Sequence, residues 1–125
     1  MQDIRQSVGK KGEELAQKYL KENGYSIIET NYRCHFGEAD IIAMKDKEIV
    51  FIEVKTRGQE IYGNPAESIN YIKRKHIYKV AEFYAYKNKI MDAQISLDAI
   101  EVYVLDNKKT KIEHIKNAIW EYPKG

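Results

Sequence analysis

The chain has 125 residues, of which 32% are charged and 43% hydrophobic, with a net charge of +2 and a pI of about 8.5. This length predicts one domain over 1–125 that buries its own core, and the composition is that of an ordinary globular protein, not of a disordered or fibrous one. One cysteine, no signal-peptide pattern and no apolar run of about 20 residues predict a cytoplasmic protein with no disulfide framework and no membrane partner.

Seven elements are predicted in the order α-β-β-β-α-β-β. The first helix ends at Gly24, a typical C′ residue, and a loop with Pro65 as a breaker precedes the second helix. The fold class is therefore α/β, with a mixed sheet in which the second helix crosses over between the third and fourth strands. The predicted boundaries are, in chain order, about 6–23, 25–33, 39–44, 48–56, 66–86, 94–105 and 111–115.

The second and third strands form a hairpin that carries charges inside an apolar sequence. Side chains alternate along a strand, so Glu53 and Lys55 share one face, and both faces are apolar up to Glu53. That pattern is typical of a central strand covered on both sides. If the turn has an even number of residues, paired positions sum to 93, which places Asp40 opposite Glu53 and Glu38 opposite Lys55.

The facing pair Asp40 and Glu53 predicts a metal site. Directly opposed β-carbons lie about 4.5–5.5 Å apart, and two carboxylates so placed in a covered sheet need a proton or a cation between them. Oxygen ligands completed by water and a substrate phosphate suit Mg²⁺ or Mn²⁺ rather than zinc. Such ions promote phosphoryl chemistry, in which Lys55 can steer the attacking water or neutralise developing charge.

The two helices each bring a charged side chain to an apolar stripe. At 100° per residue, Glu13 falls at the edge of the first stripe, while Glu14 points nearly the opposite way. Glu13 is therefore the inward carboxylate, or else a boundary residue that pairs with Lys10 or Lys11. In the second helix Lys73 lies in the middle of the stripe, where its head must reach water or an anion.

These residues fall into ordered motifs that resemble a known family. GxxGExxA begins at Gly9, NxR at Asn31 and GExD at Gly37, and VFIEVKTR (50–57) and Lys73 follow. Together they look like the YraN-like family, UPF0102, which is similar to archaeal-type Holliday junction resolvases within the PD-(D/E)xK nuclease superfamily. The resemblance implies a restriction-endonuclease-like, three-layer fold.

The resemblance also implies the roles of the site residues. Asp40 and Glu53 become metal ligands, Lys55 the catalytic lysine, and Glu13 a carboxylate that completes or supports the metal site. The implied activity is Mg²⁺- or Mn²⁺-dependent endonucleolytic hydrolysis of DNA, with branched or junction DNA as candidate substrates. Asp98, in the sequence SLD, stays open as a structural partner of Arg33 or Lys55.

DNA contact is expected from positive charge around the acidic centre. Phosphate-backbone contacts are predicted for five residues, Lys10, Lys11, Arg57, Lys73 and Lys75. No base-reading element is evident, so recognition of DNA structure is expected rather than recognition of sequence.

Other interpretations stay open at this stage. The charged hairpin residues also fit a surface ion-pair cluster, and Lys73 fits a snorkelling lysine. At the level of function, the rivals are a non-catalytic nucleic-acid-binding module that retains the nuclease fold and an RNA-directed nuclease. Paired cuts on a four-way junction would require a homodimer.

Overall fold

The computed structural model describes residues 4–57, 71–105 and 109–118, with side chains over 9–57, 76–105 and 109–118. Several predictions fall on the rest of the chain. The side chains of Lys73 and Lys75, the loop before Pro65 and the predicted helix start near Ala66 lie outside the described residues.

Two helices and five strands make up the described fold. The class is α/β, as predicted, and the sheet is mixed, with strand order β1-β2-β3-β4-β5. Only β3 and β4 pair in parallel within the described sheet, and α2 connects them, as predicted. The elements are α1 (Ile4–Glu22), β1 (Ser26–Cys34), β2 (Gly37–Lys45), β3 (Glu48–Arg57), α2 (Tyr71–Lys87), β4 (Gln94–Val104) and β5 (Thr110–Ile115).

The hydrophobic core lies on both faces of the sheet. The α1-side cluster joins Ala16 and Leu20 of α1 to strand residues such as Ile52. The α2-side cluster joins Ile77 and Val80 of α2 to residues such as Phe51. Because alternate residues of β3 are buried on opposite sides, this strand is apolar on both faces, as its sequence predicted. Neither helix, over its described residues, is long and apolar enough to cross a membrane.

The end of α1 is fixed by a Schellman motif. The N–H of Gly24 donates to the carbonyl of Lys21 at 3.2 Å, and the N–H of Tyr25 donates to the carbonyl of Leu20 at 2.9 Å. Gly24 has φ +89°, which favours glycine, and this confirms it as the C′ residue. Tyr25 and Leu20 both belong to the α1-side cluster, so the motif also starts β1 in contact with the core.

The helix α1 lies close against the sheet at Gly12. A β-carbon built on Gly12 would lie 1.8 Å from Oγ1 and 2.9 Å from Cβ of Thr56 on β3. No side chain fits there without moving one element away from the other. The missing side chain therefore sets how near α1 approaches β3, and Glu13 is the next residue along the helix.

We predict opposite effects of alanine at the two glycines of α1. Gly12→Ala should lower the free energy of unfolding by about 1–3 kcal/mol, because the added methyl group overlaps Thr56. Gly9→Ala should raise it by up to about 1 kcal/mol, because nothing lies within 4 Å of the added carbon and alanine favours the helix. Urea unfolding measures both, and equal gains would show that α1 does not approach β3 at Gly12.

Candidate active site

An open cleft of about 360 Å³ lies where α1, β2, β3 and α2 meet. Three of its lining residues are carboxylates that were predicted to act together, Glu13, Asp40 and Glu53, and Lys55 lies beside them. The remaining lining residues are Gly37, Glu38, Val54, His76 and Ile77. The structure therefore brings the four predicted catalytic residues to one place.

The hairpin of β2 and β3 has the predicted register in the half next to its turn. The pairs run from Lys45 and Glu48 to Ile41 and Ile52, and each sums to 93. The ladder ends there, one pair before Asp40 would face Glu53. Beyond this point β2 continues beside β1 and β3 continues beside β4, so the two strands separate and open the cleft between them.

Asp40 occupies the fork where the strands separate. Its Oδ2 accepts a hydrogen bond of 2.8 Å from the backbone N–H of Val54. Because the β2–β3 ladder has ended, the N–H of Val54 has no backbone acceptor on β2. Leaving a buried N–H without an acceptor would cost free energy of folding. The carboxylate replaces the missing backbone acceptor, which fixes its position and holds the two strands at a set distance.

The alternation of β2 side chains between the two faces of the sheet is interrupted at Asp40. Ile41 packs in the α1-side cluster and Ala39 in the α2-side cluster, although a regular strand would place both on one face. Across the ladder, Asn31 lies between the pairs Thr30–Ile41 and Tyr32–Ala39 and has φ +52°. This left-handed residue lets β1 turn with β2, and asparagine tolerates that conformation better than most residues.

Glu53 and Lys55 of β3 both line the cleft, and Val54 between them also packs against the α1-side cluster. Glu53 is 3% exposed, which is unusual for a carboxylate. Lys55 pairs in register with Glu101 of β4, a carboxylate that is 1% exposed. Burial raises the pKa of Glu101, while the charges of Arg57 and Lys55 favour its ionised form.

Glu13 reaches the cleft from α1. Burial raises its pKa above the usual value, and the negative charges of Asp40 and Glu38 raise it further. Glu14, the next residue, is exposed, so the helical spacing predicted the two directions correctly. Burial is the larger cause of this shift in pKa, and the smaller part, from the neighbouring acidic groups, is one that a cation would relieve.

The donor set suits a hard divalent cation. The carboxylates of the cleft offer oxygen, and the one imidazole in its lining is that of His76. In the described part of the chain, no three His, Cys, Asp or Glu side chains are grouped closely enough to hold a metal by themselves. A divalent cation in this cleft would therefore need water or a phosphate to complete its coordination, as Mg²⁺ often does.

Comparisons with known proteins place the chain in a family. The sequence profile described as "Uncharacterised protein family UPF0102" matches residues 12–102. The chain belongs to the UPF0102 family. The matched segment runs from α1 to β4 and includes every residue of the cleft.

Relatives named "UPF0102 protein" match this chain over nearly its whole length. One from Clostridium perfringens is 42% identical over 119 residues, which is 94% of this chain and 98% of its own. One from Alkaliphilus oremlandii is 44% identical over 117 residues, 92% of this chain and 99% of its own. One from Caldicellulosiruptor bescii is 46% identical over 113 residues, 89% and 95%.

A solved structure, "Crystal structure of SSO0001", aligns with 91% of this UPF0102 chain at 19% identity. The chain spans about half of that protein, 52%, and the TM-score is 0.40. At this level of similarity the alignment supports no conclusion about fold or function.

The predicted DNA-contacting residues that lie in the described part of this UPF0102 protein have different surroundings. Lys10 and Lys11 are exposed on α1, within one turn of Glu13. Arg57 instead faces Glu101, with Nε 3.7 Å from Oε2 and a side chain only 18% exposed. Its contact with DNA stays a prediction, and much of its charge is already directed at a buried carboxylate.

Two expected partners are different in the structure. Glu38 does not face Lys55 in the ladder, because β2 and β3 have separated, and it pairs instead with Arg33 of β1 at 3.1 Å. Asp98 pairs with neither Arg33 nor Lys55. It accepts hydrogen bonds from Ser96 and from the backbone N–H of Asn117, and its Oδ2 lies 2.7 Å from Nε2 of His114.

Sequence reasoning missed the network around Asp98. Nδ1 of His114 lies 3.1 Å from the Tyr19 hydroxyl, so the network links α1, β4 and β5. Burial alone would raise the pKa of Asp98, but hydrogen bonds from His114, Ser96 and Asn117 lower it below the usual value. Glu101 was also missed, although a charge inside the apolar run AIEVYV is the same signal that identified Glu53.

We predict that Asn31 prefers glycine to alanine as its replacement. Asn31→Gly should retain stability, whereas Asn31→Ala should be less stable than Asn31→Gly by about 1 kcal/mol, because left-handed backbone is unfavourable for alanine. Urea unfolding of the two variants measures the difference.

Thr30 supplies the matched control, since it lies on the same strand without positive φ. There the order should reverse, with Thr30→Gly less stable than Thr30→Ala by about 0.5–1 kcal/mol. The same order at both positions would show that β1 is regular opposite Asp40.

We predict that removing the charge of Glu13 stabilises the protein at neutral pH without divalent cations. Below the ordinary glutamate pKa of 4.5 both states are protonated, so Glu13→Gln should change little. As the pH rises above 4.5, the unfolded chain ionises first because the folded pKa is raised. The wild type therefore loses stability relative to Glu13→Gln, up to the pH at which folded Glu13 also ionises.

Urea unfolding in EDTA at a series of pH values measures this difference. Glu14→Gln is the control, because Glu14 is exposed on the same helix and should shift stability by less than about 0.5 kcal/mol at any pH. If the free energy of unfolding of Glu13→Gln changed with pH in parallel with that of the wild type, the raised pKa of Glu13 would be contradicted.

Proposed function

We propose that this UPF0102 protein is a metal-dependent nuclease that hydrolyses DNA phosphodiester bonds, with branched or junction DNA as its substrate. In this proposal the α/β core is a restriction-endonuclease-like nuclease core. Asp40 and Glu53 hold Mg²⁺ or Mn²⁺, Glu13 supports the site, and Lys55 acts on the phosphate.

One observation supports the proposal more than any other. Carboxylates from three elements, Glu13, Asp40 and Glu53, line a single open cleft together with Lys55. A surface ion-pair cluster would leave the acids exposed, but Glu53 is 3% exposed and Asp40 is held by a backbone N–H. Burial of a charged carboxylate such as Glu53 costs stability unless a cation or a hydrogen bond compensates it.

The chemistry follows from the residues present. A divalent cation, when bound, supplies charge stabilisation at the scissile phosphate and a more acidic water. The backbone N–H of Val54 donates to Oδ2 of Asp40, and this hydrogen bond orients the carboxylate. Lys55 lines the same cleft and offers a positive charge to the phosphate oxygens, on which negative charge increases during hydrolysis.

Buried Glu101 has a supporting part in this proposal. It lies beside Lys55 in the register of β3 and β4, and it also faces Arg57. The charge of Lys55 favours the ionised form of Glu101, and an ionised Glu101 would in turn attract the ammonium group of Lys55.

We expect DNA cleavage that depends on the cation and on the cleft. Labelled linear, flapped and four-way-junction DNA is incubated with Mg²⁺, Mn²⁺ or EDTA. Asp40→Asn, Glu53→Gln and Lys55→Ala should each reduce cleavage on the order of 100-fold or more, because each removes an electrostatic contribution to the transition state. EDTA should abolish cleavage by the wild type.

Glu38→Gln is the matched control for this assay. Glu38 lines the same cleft, but its carboxylate is exposed and pairs with Arg33. It should retain cleavage close to the wild type. Cleavage that survives Asp40→Asn would contradict the assignment, and DNA binding without cleavage under either cation would favour a non-catalytic binding module. Cleavage of RNA but not of DNA would favour an RNA-directed nuclease.

A further inference from the structure

A second groove runs along the outer side of α2, next to the cleft. We call it the aromatic groove, and its volume is about 560 Å³, within the range of small-ligand sites. It contains side chains that a protein surface seldom exposes, including Tyr86 at 72% and Met91 at 70%. Its main lining residues are Phe36, Lys79, Phe83, Tyr86, Met91 and Ile95.

One end of the groove is a cluster of three rings. Phe36 and Phe83 lie with centroids 5.9 Å apart, and His35 lies 3.9 Å from Phe36 and 5.5 Å from Phe83. Phe36 also packs against the α2-side core, whereas Phe83 is not part of that cluster. The ring of Phe83 is therefore partly exposed without being needed to fill the core.

Lysines stand over these rings. Nζ of Lys79 lies 5.9 Å from the centroid of Phe36, and Nζ of Lys87 lies 6.0 Å from that of Phe83. Lys79 and Glu82 both line the groove, and Lys87 lies outside its lining with its ammonium over the ring of Phe83. Flat apolar surface beside positive charge is complementary to a nucleotide, which has a base to stack and a phosphate to pair.

The groove adjoins the cleft along α2 and at the start of β2. His76 lines the cleft, while Lys79 and Phe83 follow it along α2 and line the groove. On β2, Gly37 lines the cleft and Phe36, just before it, lines the groove. From His76 to Phe83 a helix rises about 10 Å, or about three nucleotide steps of a stacked strand.

We propose that the aromatic groove binds unpaired nucleotides of the DNA substrate next to the scissile phosphate, with a base stacked on Phe83. This inference rests on the proposed nuclease function and gives its substrate a specific feature, an unpaired arm. A second copy of the chain suits the groove less well. An isologous contact would bring Lys79, Lys87 and Glu82 of both copies together, with the positive groups in excess.

The test is DNA binding in EDTA, measured by fluorescence anisotropy with a flapped duplex. One substrate has an oligothymidine arm and the other has the same arm made of abasic sites. Phe83→Ala should weaken binding of the thymidine arm about 5- to 100-fold, and Phe83→Trp should bind like the wild type. The wild type should bind the abasic arm as weakly as Phe83→Ala binds the thymidine arm. Phe83→Ala should bind both arms with the same affinity, because the stacking contact is already absent.

Charge is tested separately from stacking. Lys79→Gln should weaken binding of both arms and reduce the salt dependence of binding by about one counterion. Lys47→Gln is its control, because it removes the same charge from the hairpin turn at the other end of β2 and β3. It should leave the salt dependence as in the wild type.

Several results would overturn the groove as a nucleotide site. These are equal losses by Phe83→Ala on both arms, a Phe83→Trp variant as weak as Phe83→Ala, or no binding by the wild type. Cleavage in Mg²⁺ by the same proteins separates the two proposals. Binding that depends on Phe83 without cleavage supports the groove and counts against the nuclease, and cleavage with binding indifferent to Phe83 does the reverse.

Discussion

The site depends on one hydrogen bond, from the backbone N–H of Val54 to the carboxylate of Asp40. At this point the β2–β3 ladder has ended, and an acidic side chain replaces the backbone carbonyl that a continuing strand would supply. The bond satisfies a strand that has lost its neighbour and holds a carboxylate in an opening between strands. The cleft, the acidic side chain and the strand separation therefore meet at one point of the hairpin.

The other side chains are positioned around that fork by packing. Gly12 lets α1 lie against Thr56, which brings Glu13 to the cleft, and the two core clusters hold α1 and α2 on opposite faces of the sheet. The arrangement gathers acidic groups at an energetic cost, seen in the raised pKa of Glu13 and the burial of Glu53. A core on both faces offsets that cost, and a bound cation would reduce it.

Much of this could be predicted from the sequence because strand alternation and the hairpin register are short-range rules. The sum of 93, the buried faces of β3 and the inward direction of Glu13 all follow from such rules. The end of the ladder does not, since it depends on the left-handed backbone of Asn31 and on strands that diverge toward different neighbours. Likewise, the partners of Asp98 lie at His114 and Asn117, beyond a strand connection that local patterns do not describe.

The central claim is that Asp40 and Glu53 jointly hold a divalent cation at the fork. The most direct measurement is a crystal structure of the protein soaked in Mn²⁺, with the ion located by its anomalous scattering. We expect one strong peak coordinated by both carboxylates, which is lost in Asp40→Asn crystals treated in the same way. A peak that contacts neither carboxylate, or that persists unchanged in the variant, would contradict it.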